Sequence, residues 1–117
     1  MTQTISQLRA CDALEACRAL GRMQGAKGGD VVKGFPSLIR INGLLGALAF
    51  AIAKREGYEK LADGVAAHLR RCDIANASSG PELIEFLAKS DSRALARATT
   101  ETLAFLNFVK RFYGNVP

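Results

Sequence analysis

The chain has 117 residues, of which 49% are hydrophobic, and this is enough for one domain with a single core. Its formal net charge of +5 favours a polyanion or an acidic protein surface as a partner, without choosing between them. The N-terminus lacks the pattern of a signal peptide, and the longest apolar run, residues 44–53, is about half the ~20 residues of a membrane span, so we expect a soluble cytoplasmic protein.

The first predicted element is a helix that starts at Thr2 or Thr4 and ends near Gln24, where the glycines at 25, 28 and 29 interrupt it. Its apolar residues recur every three positions, so the apolar stripe drifts around the helix and predicts packing against more than one neighbour. Asp30 is an N-cap candidate for the next helix.

The stretch from residue 37 to 55 is apolar nearly all round, which predicts a central buried helix. Pro36 either kinks the helix that begins at Asp30 or lies in the first turn of a new one. Asn42 and Gly43 are candidates for the end of one helix and the start of the next, so the sequence leaves its continuity open.

Three further helices are predicted after Gly57. A helix over residues 58–71 has one apolar face, a polar loop covers residues 73–80, and Pro81 suits the first position of a short helix that ends at Lys89. The last helix starts after Ser90 or Asp91 and continues to about Tyr113, with Gly114 as its terminator. Without any alternating strand pattern, the sequence predicts an all-α bundle of five to seven helices in one domain, residues 1–117.

Few residues suggest catalysis. The only histidine, His68, lies in an apolar stripe and is predicted to be a packed or rim residue rather than a general base. The three cysteines, Cys11, Cys17 and Cys72, lack metal-ligand spacing and are predicted to be reduced, small apolar residues. The glycine-rich segment around Lys27 does not have P-loop spacing. We therefore expect no catalytic residue, no cofactor and no metal site.

Cations recur at intervals of seven in the first long apolar segment. Lys33, Arg40 and Lys54 share one face, together with Ala47, if helical geometry continues through Pro36 and Gly43. Gly43, Ala47 and Ala51 lie near that face, and such small residues would let a phosphodiester backbone approach. The segment is therefore a candidate for phosphate contacts.

The last helix has a second cationic side. Arg93 and Arg111 are 18 positions apart, which is five helical turns, and Arg97 lies ~40° from both. Small or polar residues lie between them: Thr100, Ala104 and Asn107. The apolar residues of this helix, including Phe105, predict a core face on the opposite side, whereas Glu101 is expected near Arg97, where it weakens the positive field. Because the aromatic residues belong to the core face, contact with nucleic acid should be to the backbone by charge, without sequence readout.

Two segments resemble one known family. These are Phe35-Pro-Ser-Leu-Ile-Arg-Ile-Asn-Gly-Leu-Leu-Gly-Ala-Leu-Ala-Phe50 and Thr99-Thr-Glu-Thr-Leu-Ala-Phe-Leu-Asn-Phe-Val-Lys-Arg-Phe112. Both are similar to segments of the small subunit of type III-B CRISPR effector complexes, and their order and separation also agree with that family. Phe108 stands where the family usually has a Trp.

The resemblance implies an all-α, non-catalytic subunit whose copies stack as an inner filament along a backbone of larger subunits in antiviral defence. The implied partners are crRNA and target RNA, the other subunits of the effector complex and further copies of the same chain. The candidates for contact with RNA or with a neighbouring subunit are Lys33, Arg40, Lys54, Arg93, Arg97, Lys110 and Arg111. The family pattern supports Arg40, Lys110 and Arg111 by position, and helix geometry alone supports the others.

Two other classes of function stay open from the sequence. The first is a helical adaptor whose cations meet acidic protein surfaces and do not contact RNA. The second is an enzyme in which His68 would have to act.

Overall fold

The computed structural model describes residues 3–21 and 27–113, with only the backbone described for residues 27–29. Five α-helices and no strand lie in these residues: α1 (Ile5–Gly21), α2 (Lys27–Lys54), α3 (Tyr58–Arg71), α4 (Gly80–Ala88) and α5 (Ser92–Phe112). The predicted all-α bundle is confirmed, at the lower end of the expected number of helices. Gln24, Gly25 and Gly114, which were expected at helix ends, lie outside the described residues.

The N-terminus of α1 is closed by a reciprocal pair of hydrogen bonds. The Gln7 amide donates to Thr4 Oγ1 at 3.1 Å, and the Thr4 amide donates to Gln7 Oε1 at 2.7 Å. This is a capping box, in which two otherwise unpaired backbone donors are satisfied by side chains. Of the two predicted starts of the first helix, the structure selects Thr4.

At the starts of α4 and α5, Pro81 and Asp91 were predicted from the sequence, whereas Ser79 was not. Ser79 caps α4, with Pro81 in its first turn, and Asp91 Oδ1 accepts a hydrogen bond from the Ala94 amide at 2.8 Å at the start of α5. Asp91, rather than Ser90, is therefore the cap of the last helix. The expected start of α2 was wrong, because α2 begins at Lys27 and Asp30 lies in its first turn instead of capping it.

The long helix α2 is interrupted at one residue. Helical geometry continues through Pro36, but Gly43 has φ 79° and ψ 165°, a combination that is essentially confined to glycine. Residues before and after Gly43 therefore belong to two helical halves that run in different directions. This resolves the alternative that the sequence left open at Asn42 and Gly43.

The two halves of α2 fold back on Tyr58, the first residue of α3. The ring of Phe35 lies 6.4 Å from the Tyr58 ring, and the ring of Phe50 lies 5.3 Å from it, both edge to face. In a straight helix, Phe35 and Phe50 would be ~22 Å apart along the axis. Both can reach one tyrosine only because Gly43 reverses the chain between them.

The stretch Asp30–Lys54 has the length and composition of a membrane span, and its most apolar 18-residue window has a mean hydropathy of 1.6. Core helices of globular proteins have the same properties. Because this stretch folds back at Gly43, it does not form a straight rod across a bilayer.

The core lies where α1, α2, α3 and α5 meet. Its largest fully buried side chains include Phe35, Leu48, Leu61, Leu69 and Phe105. The molecule is 22 Å thick along its shortest axis, which corresponds to two layers of helices. α5 packs against α1, α2 and α3, so one side of this last helix is covered along its length and the other side faces outward.

Candidate functional site

The outer side of α5 carries three of the predicted cations. Arg93, Arg97 and Arg111 are all exposed, and Thr100 and Asn107 between them are exposed as well. The opposite side buries Phe105, Val109 and their apolar neighbours, as the periodicity predicted. Lys110 is exposed but lies ~100° around the helix from Arg111. We call the side formed by Arg93, Arg97, Thr100, Asn107 and Arg111 the outer face of α5.

Glu101 does not lie on the outer face of α5, which corrects the expectation that it weakens the positive field there. The residue is only 7% exposed, and its carboxylate accepts hydrogen bonds from the Arg9 guanidinium at 2.7 Å. Around the helix, Glu101 lies ~40° from the exposed Arg97 and ~40° from the buried Phe105. Helical periodicity alone therefore does not determine whether Glu101 is exposed or buried. The negative charge of Glu101 is thus compensated inside the bundle.

The predicted cations of α2 do not share one continuous face. Lys33 and Arg40 are exposed one heptad apart on the first half of the helix, and Lys54 is exposed at the end of the second half. The break at Gly43 separates Lys54 from the other two. The predicted cationic face of α2 therefore includes Lys33 and Arg40 but not Lys54.

Two of the small residues assigned to that face belong to the core. Ala47 and Ala51 both have 0% exposure, so this side of the second half of α2 lies in the core. They are inaccessible to a phosphodiester backbone. Gly43 is exposed, and its role is to reverse the chain.

Acidic neighbours surround Lys54. Its Nζ lies 3.7 Å from Glu56 Oε2, and a small cleft of about 240 Å³ is lined by Asp30, Lys54, Glu56 and Tyr58. The two carboxylates reduce the positive potential that Lys54 offers to an anion. Among the predicted α2 cations, Lys33 and Arg40 are the better placed.

A second charged group is buried between α1, α3 and α5. His68 is 0% exposed; its Nδ1 lies 2.6 Å from Asp12 Oδ2, and its Nε2 lies 2.8 Å from Glu101 Oε2. Its ring stacks on Phe105 at 4.6 Å. The predicted packed histidine is confirmed, but the packing is polar as well as apolar.

Two arginines complete this group from its rim. Arg9 pairs with Glu101, and Arg71 NH1 lies 3.0 Å from Asp12 Oδ1. Each carboxylate therefore contacts both the imidazole and a guanidinium. We call Arg9, Asp12, His68, Arg71 and Glu101 the buried ion cluster.

The comparisons with known proteins agree with one another. Residues 5–114 match the family model described as CRISPR-associated protein (Cas_Cmr5). The crystal structure of a CRISPR-associated Cmr5 family protein from Thermus thermophilus superimposes with a TM-score of 0.78 at 30% identity, over 95% of this chain and 96% of that one. No curated protein gives a significant match. The chain belongs to the Cmr5 family.

Membership of the Cmr5 family confirms the resemblance seen in the two quoted segments and makes this chain a subunit associated with type III-B CRISPR systems. It implies association with other subunits of an effector complex, in the context of antiviral defence. The Cmr5 family is not known as a catalytic one.

The electrostatics of this Cmr5 family member are strongly perturbed at the buried ion cluster. Burial alone would raise the pKa of Glu101, but the hydrogen bonds and charges of Arg9 and His68 outweigh it and hold that pKa below its usual value. Cys72 lies beside the cluster, with Sγ 3.5 Å from His68 Nε2. Burial, reinforced by the charges of Glu101 and Asp12, raises the pKa of Cys72 to about 11, so its thiol is protonated at neutral pH.

Sequence reasoning missed this cluster in the Cmr5 chain. A signal was present, because Asp12 and Glu101 occupy positions three or four residues from buried ones: Ala16 in α1, and Ala98 and Phe105 in α5. A carboxylate in such a position requires a cationic partner. The partners lie 92 residues away for Arg9 and Glu101, and 56 residues away for Asp12 and His68, so no local pattern joins them.

Proposed function

We propose that this chain is a non-catalytic small subunit of a type III-B effector that binds the backbone of the crRNA–target RNA duplex through exposed cations, and that its copies stack as an inner filament. The outer face of α5 makes the main contact, and Lys33 and Arg40 on α2 extend it. Residues 1–117 act as one domain, which is supported by the packing of α5 on three other helices.

The observation that carries the proposal is the charge balance of α5. Its outer face presents three arginines, while Glu101 is compensated inside the bundle by Arg9 and His68. Thr100 and Asn107 on the same side are exposed polar residues that can donate hydrogen bonds to phosphate oxygens. Such a face attracts an anionic backbone, and it has no exposed aromatic platform on which bases would stack.

Binding by this face is additive. The target RNA enters the complex as a single strand, for which each phosphate contact made by a Lys or Arg contributes about 0.7 to the slope of log affinity against log salt. One copy therefore binds weakly, and several copies held on a scaffold gain affinity through effective concentration. Sequence is read by pairing between guide and target, not by this subunit.

The test is a paired charge reversal on the outer face of α5. We expect R93E combined with R97E to leave assembly and the helical circular dichroism spectrum unchanged, and to lower both the affinity of the assembled complex for target RNA and its salt slope. Two lost contacts per copy correspond to a decrease of about 1.4 in that slope per copy. The measurement is a binding titration at several salt concentrations.

The matched control is K60E combined with K89E, which reverses two exposed lysines, one on α3 and one at the C-cap of α4. Both double variants lower the formal net charge from +5 to +1, since each Lys or Arg that becomes Glu lowers it by two. If the effect came from net charge alone, the two variants would weaken RNA binding equally. Equal binding by the α5 variant and the unmodified complex would show that the outer face of α5 does not contact RNA.

One observation favours the alternative, a helical adaptor without direct RNA contact. Two large apolar side chains are exposed on either side of the Gly43 break: Ile41 at 79% and Phe50 at 39%. Exposed apolar residues of this size are typical of protein contact surfaces. In that case the complex requires this surface for assembly, and the α5 charge reversal leaves the salt dependence of RNA binding unchanged.

A further inference from the structure

His68, Cys72 and Glu101 bring three metal-ligating atoms together at one end of the buried ion cluster. An imidazole nitrogen, a thiol sulfur and a carboxylate oxygen from these residues all lie within 4.8 Å of one another. His68 lies in the last turn of α3 and Cys72 is the C-cap residue four positions later, so both lie on the same side of the helix end, and Glu101 faces them from α5.

We propose that His68, Cys72 and Glu101 form a binding site for a divalent transition metal of the Zn²⁺ class. The donor set of nitrogen, sulfur and oxygen is the one from which zinc sites are built. This inference does not depend on RNA binding, and it reverses the expectation, drawn from cysteine spacing, that the chain has no metal site.

The three donor atoms are close together, but side-chain rotations are needed to arrange them around one tetrahedral ion. With metal–sulfur and metal–nitrogen bonds of about 2.3 and 2.0 Å, sulfur and nitrogen ligands of one zinc ion lie about 3.5 Å apart. Cys72 Sγ lies 3.5 Å from His68 Nε2 and 3.9 Å from Nδ1, so the sulfur is beside the ring, and Cys72 has to rotate to reach an ion bound at Nε2. The 2.8 Å separation between His68 Nε2 and Glu101 Oε2 has to open by about half an ångström to admit the ion, which a side-chain rotation of Glu101 can supply.

Asp12 prepares the histidine for this role. It accepts a hydrogen bond from His68 Nδ1 at 2.6 Å, which leaves Nε2 as the ligating nitrogen. A carboxylate that holds the far side of a ligating histidine in this way is a common feature of zinc sites, where it fixes the ring and raises its basicity. Arg71, in turn, holds Asp12 through a contact of 3.0 Å.

Charge balance also favours a dication. Both ring nitrogens of His68 lie within hydrogen-bond distance of carboxylate oxygens, and a neutral imidazole has only one N–H, so the two contacts together require two protons. A divalent metal would displace two protons, the one between His68 Nε2 and Glu101 and the thiol proton of Cys72. Binding then adds two positive charges and removes two. The net charge of the buried site is therefore unchanged by binding.

An ion has access to this site from solvent. Cys72 and Glu101 line an open cleft of about 450 Å³, together with Ile5, Arg97 and Thr100. Three protein ligands leave one tetrahedral position, and this cleft gives a water molecule room to fill it. Arg9, which shares Glu101 Oε2 with His68, is one quarter exposed and can move with the carboxylate.

The test is titration of the full-length chain with Co²⁺ as a spectroscopic probe, followed by its displacement with Zn²⁺. We expect one equivalent of Co²⁺ to give a near-ultraviolet sulfur-to-cobalt charge-transfer band and tetrahedral visible bands, and Zn²⁺ to abolish both. In weakly buffered solution, two protons per bound metal should be released.

C72S should abolish the charge-transfer band, and D12N should weaken Co²⁺ binding about 10–100-fold while retaining the band. C11S is the matched control, because it removes another partly exposed thiol and should change neither property. Circular dichroism establishes that each variant is folded.

The absence of the band from the folded, unmodified chain would overturn the proposal. A band that persists in C72S or is lost in C11S would assign the metal to a different thiol and would overturn it equally.

Discussion

The outer face of α5 and the buried ion cluster contain the same kinds of charged side chain, but the first is exposed to solvent and the second lies in the interior. Arg97 and Glu101 are one helical turn apart, yet Arg97 is exposed and Glu101 is 7% exposed between Arg9 and His68. A charge at the surface is screened and stabilises the fold little, so it is available to a partner. A buried charge has lost its hydration and is stabilised by its charged neighbours, so removing one neighbour strongly destabilises the fold. Burial, rather than residue type, separates a binding residue from a structural one here.

The largest expected effect follows from removing the central carboxylate of the cluster. E101A leaves Arg9 and a buried His68 without their shared acceptor, and we expect the free energy of unfolding to fall by about 3–5 kcal/mol. Urea denaturation followed by circular dichroism measures this value. E85A removes an exposed carboxylate that pairs with Lys89 at 2.9 Å, and it should change stability by less than about 0.5 kcal/mol. A similar loss in both variants would contradict the distinction between interior and surface.

We expect an intermediate loss of stability when Arg9, at the partly exposed edge of the buried ion cluster, is replaced. Arg9 donates two hydrogen bonds to Glu101 but is one quarter exposed, so in R9A water can partly replace it. We expect a loss of about 1.5–3 kcal/mol, the usual range for hydrogen bonds to a charged group. R18A is the matched control on the same helix, since Arg18 pairs with the exposed Glu15 at 2.6 Å, and its loss should stay below about 0.5 kcal/mol. An equal result for both arginines would mean that Glu101 does not need Arg9.

The smallest effect on stability is expected on the outer face of α5, where the effect on binding is the informative one. R97A should change the free energy of unfolding by less than about 0.5 kcal/mol and lower the salt slope of RNA binding by about 0.7 per copy. Denaturation and salt-dependent titration of the same preparation measure both quantities. A stability loss as large as that of R9A would place Arg97 with the cluster instead.

Local sequence signals predicted most of the fold. The predicted capping residues Thr4 and Asp91 mark helix starts because their side-chain oxygens satisfy nearby amides, and that interaction spans only three residues. Gly43 was a plausible break, but whether a glycine bends a helix depends on what the two halves pack against. Here Phe35 and Phe50, one from each half of α2, pack against Tyr58, and local sequence patterns do not reveal these contacts.

The candidate sites were less predictable than the fold. The exposed arginines of α5 follow from helical periodicity, because a side opposite Phe105 and Val109 has to face outward. Ala47 and Ala51 were misplaced because the periodicity was continued through Gly43. The buried ion cluster depends on three helices meeting, and periodicity within one helix carries no information about which charge faces it from another.

The span of chain that the cluster bridges has a consequence for the order of folding. Arg9 and Glu101 are separated by 92 residues, as are Cys17 and Val109, whose carbonyl accepts from the cysteine thiol at 3.4 Å. Closing so long a loop costs more entropy than bringing Phe50 to Tyr58, so the hairpin around Gly43 can form early, whereas the seam between α1 and α5 closes late. Once closed, that seam ties the first helix to the last, and α1 cannot open without uncovering the charges of Glu101 and His68. The two terminal helices therefore open as one cooperative unit instead of fraying separately.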